Sequence, residues 1–213
     1  MAVNAILQQF TTIDFLVNNA GFGLIGGIEE TVKDEVQASF DLNVFALLSV
    51  TRAVLPHMRK AMSGHIFNVS SAFGLISGAD WGIYCATKFA VEGLSEALAQ
   101  EVKPFHMHVT ILEPGYFRTN FLTSGSVAVS ANPVEAYTEI AELKRKHLTE
   151  IDGTQPGDPV KAARVIIATA ALAEPPLRLL LGSDAVGYAK YKVSMLEESI
   201  KSNERISFST DFD

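Results

Sequence analysis

Short apolar runs at 13–17, 65–69, 107–112 and 177–181 recur along the chain, and the longer stretches between them carry apolar residues at helical spacing. Strand-length runs alternating with helix-length segments define an α/β architecture. The first run reads as a strand buried on both faces, preceded by Val3, Ile6, Leu7 and Phe10 at helical spacing. A helix is predicted from Thr31, as its cap, to about Lys60, with Val36, Phe40, Val44, Leu47, Leu48, Thr51 and Leu55 on one stripe. A second is predicted from about Tyr84 to Val102, with Phe89, Val91, Leu94, Leu98 and Val102 inward and Pro104 as its stop. The segment from Phe121 to about Ala131 is rich in small residues and reads as a mobile loop leading into a helix at about 133–149. Asp158-Pro159 opens a further helix ended by Pro175-Pro176, and a last helix at 188–202 precedes a polar tail, about 203–213, that is expected to fray.

At 213 residues and 48% hydrophobic content the chain can bury one sizeable core, so a single domain is expected. A formal charge of -7 and a pI near 5.2 exclude a phosphate-tracking nucleic-acid binder, which needs clustered Lys and Arg; the short run Lys144-Arg145-Lys146 reads as a solvated helix face. The lone Cys85 forms no internal disulfide, and the first residues lack a basic region ahead of an apolar stretch, so a cytoplasmic setting is expected. No apolar run approaches the roughly 20 residues of a membrane span, and no membrane partner is expected. His106 and His108 alternate on a predicted strand without a third ligand at suitable spacing, so no metal site is expected.

The stretch 21–26 (GFGLIG) matches the dinucleotide fingerprint G-x-G-x-x-G letter for letter. In that fingerprint the third glycine packs inside the first helical turns, and an acid about 20 residues on ends the next strand. Here Gly26 lies five residues before Thr31, and Asp41, the acid at the right distance, sits within a helical stripe. The stretch is therefore not the phosphate loop.

Further motifs follow in order: Asn18-Asn19-Ala20-Gly21 after a strand, Ser71 after a strand, Tyr84-x-x-x-Lys88 opening a helix, and Pro114-Gly115 after another strand. Together they resemble the short-chain dehydrogenase/reductase family over about residues 1–190. Ser71 lies thirteen residues before Tyr84, a spacing similar to the family's, and Asn43 in DLNVFA matches the asparagine of its catalytic tetrad. The resemblance implies a Rossmann-like parallel sheet with flanking helices, and an NAD(P)-dependent oxidoreductase that moves a hydride between a nicotinamide and an alcohol or carbonyl substrate. Asn43, Ser71, Tyr84 and Lys88 are the implied catalytic residues. Asn18, Ala20, Gly21, Tyr84, Lys88, Pro114, Gly115, Phe117 and Thr119 are the implied contacts to NAD or NADP, and a homodimer or homotetramer through the two long helices is implied as well.

The chemistry follows from the residue types. Hydride transfer at a carbinol carbon needs a group that gives or takes the hydroxyl proton, and a free phenol, with a pKa of about 10, is too weak a base near neutrality. Lys88, one helical turn after Tyr84, would favour the phenolate, as would the helix N-terminus. Ser71 at a strand end would donate to the substrate oxygen where negative charge develops. The resemblance gives Asn43 a water linking Lys88 to solvent, and gives Asn18 a place against the cofactor ribose while also satisfying backbone groups between loops. Trp81 and the residues around 121–129 are expected to wall a substrate pocket.

The family's fold begins with a strand, a glycine-rich TGxxxGxG turn, a helix and two further strands, none of which precedes Met1 in this sequence. The expectation is a truncated doubly wound fold: a single Rossmann-like domain at 1–213 with a substrate segment at about 120–150, missing its first strands and leaving 13–17 as an exposed apolar edge. Two functions are compatible with it: the oxidoreductase, or a non-catalytic binding or oligomerisation protein that no longer holds the cofactor.

Overall fold

A computed structural model describes residues 2–123 and 125–212. Met1, Ser124 and Asp213, which fall within the expected domain, substrate segment and tail, lie outside the described residues. In chain order the elements are α1 (Ala2–Gln9), β1 (Phe15–Asn18), β2 (Gly23–Ile25), α2 (Lys33–Phe40), α3 (Leu47–Ala61), β3 (Gly64–Val69), α4 (Gly82–Val102), β4 (Met107–Pro114), β5 (Val127–Val129), α5 (Thr138–Lys146), α6 (Pro159–Ala170), β6 (Arg178–Leu181) and α7 (Ser183–Phe208). A π-helical turn, Asp41–Ala46, joins α2 to α3 without a break.

The main sheet is parallel in the order β1-β3-β4-β6. Parallel neighbours require long crossovers, and the helices between the strands supply them. The α/β Rossmann-like class read from the sequence is therefore the observed one. The carboxyl ends of the strands, at Asn18, Val69, Pro114 and Leu181, all lie at one margin of the sheet, where open α/β sheets hold ligands.

Val54 and Met58 of α3 and Val102 of α4 pack with Ile66, Met107 and Val109 of the sheet into one core. The stripe on the first long helix is thus present, centred on Asn43, Val44, Leu47, Thr51, Val54 and Met58. Its start differs from expectation. Thr31 donates to the Ile28 carbonyl instead of capping, and the Glu35 carboxylate accepts from the Val32 N–H, which lets a residue without a capping side chain stand at the helix entrance. On α4, Phe89 is 40% exposed and points outward, because the buried side of this helix follows Tyr84, Lys88, Val91, Glu92 and Ser95.

Further expectations are corrected. The continuous helix Lys33–Ala61 contains an 18-residue window of mean hydropathy 1.4, long and apolar enough by length and composition to cross a membrane, which run-counting missed because small polar residues interrupt it. Its inner stripe nevertheless packs on β1 and β3 as a flanking helix of the sheet. Strand β1 is not buried on both faces: it stands at the margin, with Phe15 and Val17 about half exposed, as the edge reading expects. His106 lies in a left-handed turn (φ 54°) before β4, so it does not alternate with His108 on the strand. The tail at 203–212 is helical through Phe208 instead of frayed.

The segment expected to be a mobile loop after Phe121 contains β5, which pairs in parallel with β2. Gly23, Leu24 and Ile25 are the middle of the GFGLIG stretch, which is therefore a strand of this small two-stranded tie and not a phosphate loop. Its glycines allow close approach: a Cβ on Gly23 would lie 2.7 Å from the Trp81 ring, and one on Gly26 would lie 2.2 Å from Ser130 Oγ.

Candidate active site

Strand β3 ends at Val69, and Ser71 follows in extended conformation, its Oγ accepting from the Phe73 N–H at 3.1 Å to open a short 3-10 turn. Tyr84 stands in the first turn of α4 and Lys88 one turn later on the same buried side, each 6% exposed. All three line one cavity of about 530 Å³ at the carboxyl ends of the strands. The sequence expectation that they converge is met in the geometry.

Their electrostatics differ from expectation. Burial pushes the Tyr84 phenol well above the ordinary tyrosine range, and the adjacent Ser71 hydroxyl provides the opposing, lowering influence. Lys88 is itself desolvated, which brings its ammonium down from 10.5 to about 8 against the attraction of Glu92. Its Nζ donates to the Val69 carbonyl at 2.8 Å and stands 5.6 Å from the centre of the Tyr84 ring. The ammonium is thus committed to the strand end beside the phenol. With both groups desolvated, the phenol form of Tyr84 is favoured over the phenolate.

Asn43 is 2% exposed, and the π-helical turn carries it toward α4. Its Oδ1 accepts from the Phe22 N–H at 2.9 Å, and its Nδ2 donates to the Phe22 carbonyl at 2.9 Å and to Thr87 Oγ1 at 3.1 Å. The side-chain amide therefore clamps the loop after β1 to α4, and it does not line the cavity. Asn18 Nδ2 donates to Asn68 Oδ1 at 2.8 Å and Thr51 Oγ1 at 3.0 Å, binding β1 to β3 and α3 through side chains where backbone partners were expected. Asn18 and Ala20 are not part of the cavity lining; Asn19 is.

Gly21, Pro114, Gly115, Phe117 and Thr119 all line the cavity. A Cβ on Gly21 would stand 3.0 Å from Asn43 Oδ1, and one on Gly115 would stand 2.2 Å from Asp184 Oδ1, so both backbones lie closer to their neighbours than a larger residue allows. Asp184 in the first turn of α7 accepts from the Tyr116 N–H at 2.6 Å and fixes the turn after β4. The sequence reading missed Asp184, although the run Gly182-Ser183-Asp184 after a strand is a helix-entry signal.

Trp81 walls the cavity as expected, together with Phe121, whose ring stacks on it at 6.4 Å. Unforeseen is His147, in the π-helical continuation of α5. Its Nε2 receives Trp81 Nε1 at 3.2 Å and the Tyr116 hydroxyl at 2.8 Å, while Nδ1 lies 3.0 Å from the Leu143 carbonyl and 2.9 Å from Asp80 Oδ2. Nothing in the local spacing signals this cluster, because its members lie 31 and 66 residues apart.

Comparisons with known proteins agree with this picture. The family model for short chain dehydrogenase matches residues 1–128. Oxidoreductase BOA17 of Botryotinia fuckeliana is 36% identical over 198 residues, covering 93% of this chain and 72% of the relative. A 3-ketodihydrosphingosine reductase of Bacteroides thetaiotaomicron is 38% identical over 183 residues, covering 85% of this chain and 67% of the relative. Among solved structures, a short-chain dehydrogenase from Streptomyces avermitilis superposes with a TM-score of 0.90 at 40% identity, covering 99% of this chain and 76% of that one. The chain belongs to the short-chain dehydrogenase/reductase family and is an oxidoreductase.

Proposed function

We propose that the chain transfers a hydride between a nicotinamide cofactor, NAD or NADP, and an alcohol or carbonyl substrate, with Tyr84 exchanging the hydroxyl proton and Ser71 holding the reacting oxygen. The observation that carries this reading is the convergence of Ser71, Tyr84 and Lys88 on one cavity at the strand ends. Asn19, Gly21, Pro114, Gly115, Phe117 and Thr119 line that cavity and would face the nicotinamide half of the cofactor. When bound, the cofactor supplies or accepts the hydride. Ser71 Oγ donates to the carbonyl oxygen as charge develops there, the neutral Tyr84 phenol delivers its proton to that oxygen, and Lys88 stabilises the phenolate left behind. Asn43 serves by holding the loop that carries Gly21, since its amide is taken up by Phe22 and Thr87.

The test is to titrate NADH and NADPH while following nicotinamide fluorescence, and then to assay ketone reduction in the native chain and in Tyr84→Phe. Saturable binding, with turnover lost in Tyr84→Phe, supports the reading; binding of neither cofactor defeats it and leaves the non-catalytic alternative. Phe45, Val50 and Phe89 are each exposed by 40% or more on α3, its preceding turn and α4, which supports a homo-oligomer formed through these helices, to be measured by light scattering.

A further inference from the structure

Resting on the reading that a carbonyl or alcohol oxygen sits between Ser71 and Tyr84, we propose that the cavity selects a neutral substrate with a bulky apolar substituent, and that His147 is the positioning residue that makes the wall apolar. The wall beyond the reacting groups includes Phe73, Trp81, Tyr116, Phe121, Leu122 and Ile166. Phe73 stands 5.9 Å from Trp81 and 6.3 Å from Tyr116, so the rings form one continuous aromatic surface. A cavity of about 530 Å³ has room for a substituent larger than a methyl group beside a nicotinamide ring.

Charge is scarce along this wall. Among the described residues that line the cavity, Lys88 is the sole cation, and its ammonium is engaged by the Val69 carbonyl. A carboxylate or phosphate held against these rings would shed its hydration with no cation beside it, which is costly in a buried setting.

Trp81 and Tyr116, both on the cavity lining, direct their polar tips at His147 Nε2. An indole N–H can only donate, so Nε2 is the acceptor and the imidazole proton stands on Nδ1, facing the Leu143 carbonyl and Asp80. His147 is buried and lies outside the cavity lining. It takes up both donors from behind, so at Trp81 and Tyr116 the substrate meets ring carbon and not an unpaired N–H or O–H. Leucine at this position would leave two donors without a partner beside the cavity.

Trp81 is the single tryptophan of the chain, so its fluorescence reports occupancy of the wall without catalysis. The experiment titrates tert-butylcyclohexanone and oxocyclohexanecarboxylate, a neutral and an anionic cyclic ketone, into the native protein and into Tyr84→Phe. The neutral ketone is expected to bind at least about tenfold more tightly in both; equal or tighter binding of the carboxylate overturns the proposal. In His147→Leu the ratio is expected to fall toward unity, and in His147→Gln, which keeps an acceptor oxygen, to recover; an unchanged ratio in a folded His147→Leu removes the positioning role. Should His147→Leu fail to fold, Tyr116→Phe deletes one donor and is expected to hold or raise the ratio, and a lowered ratio counts against the proposal. Ketone reduction assayed separately distinguishes the two readings. A preserved binding preference without turnover defeats hydride transfer alone, whereas turnover with equal KM for both ketones defeats the preference alone.

Discussion

Glu30 and Lys144 form a 2.8 Å ion pair across 114 residues of sequence, and the Glu30 side chain is 1% exposed. The same carboxylate accepts from the Gly27 and Val134 N–H groups, so it anchors α5, and with it His147, to the turn after β2. Burial works against the Glu30 charge, but Lys144 and the two N–H groups outweigh it and hold the carboxyl at about 2, below its usual 4.5.

Removing the cation from that pair is expected to be expensive. Lys144→Met should lower unfolding stability by about 3 kcal/mol, because it strands a buried carboxylate, and Glu30→Gln in the same chain should restore part of the loss. Because the folded pKa is depressed, the contribution is present above about 4.5 and disappears as pH falls toward about 2. Chemical denaturation of the native and variant chains across that window checks both statements.

The phenol and its neighbouring hydroxyl should separate in kinetics. Tyr84→Phe removes the proton donor and is expected to reduce kcat/KM by about a hundredfold or more, while Ser71→Ala, which leaves the phenol in place, should cost about tenfold or more through kcat. Steady-state ketone reduction at saturating cofactor, with circular dichroism to confirm folding, makes the comparison.

A charged cluster joins α4, β4 and β6, where Arg178 pairs with Glu92, Glu96 and Glu113. Burial, reinforced by Glu92, raises the Glu113 carboxyl to about 7 despite the pull of Arg178. A raised folded pKa stabilises the protonated form, so this contribution is complete below about 4.5 and is lost as pH rises through about 7. Thermal unfolding should show the decline in the native chain, and Glu113→Gln should flatten it.

The tie between β2 and β5 makes its own prediction. Gly26→Ala would bring a Cβ within 2.2 Å of Ser130 Oγ and force the strands apart. The expected result is a several-fold rise in KM with a smaller change in kcat, because Ser71 follows β3 and Tyr84 and Lys88 stand on α4, away from the tie. Hydrogen exchange should show Ser130 N–H, which bonds the Ile25 carbonyl, losing protection.

Ser71, Tyr84 and Lys88 were legible in the sequence because each sits within a local pattern, and those patterns taken in order resemble a known family. Ser71 follows an apolar strand, and Tyr84 and Lys88 share one helical turn, so spacing alone sets them side by side. Asn43 was legible as a residue but not as a device, since its partners Phe22 and Thr87 are fixed by tertiary packing. Strands β2 and β5 are three residues each, too short for a period to register, and glycine masks the first of them. His147 was invisible for a related reason: an isolated histidine in a helical stretch carries no local sign that an indole and a phenol from distant loops will share its lone pair.

The parallel tie between 23–25 and 127–129 also divides the labour of the molecule. The residues at 119–122 and 126, which line the cavity ahead of β5, can change in composition while the tie holds the end of that segment in place. A lineage built on this frame can therefore reshape its cavity by editing one stretch, while Ser71, Tyr84 and Lys88 are inherited in place.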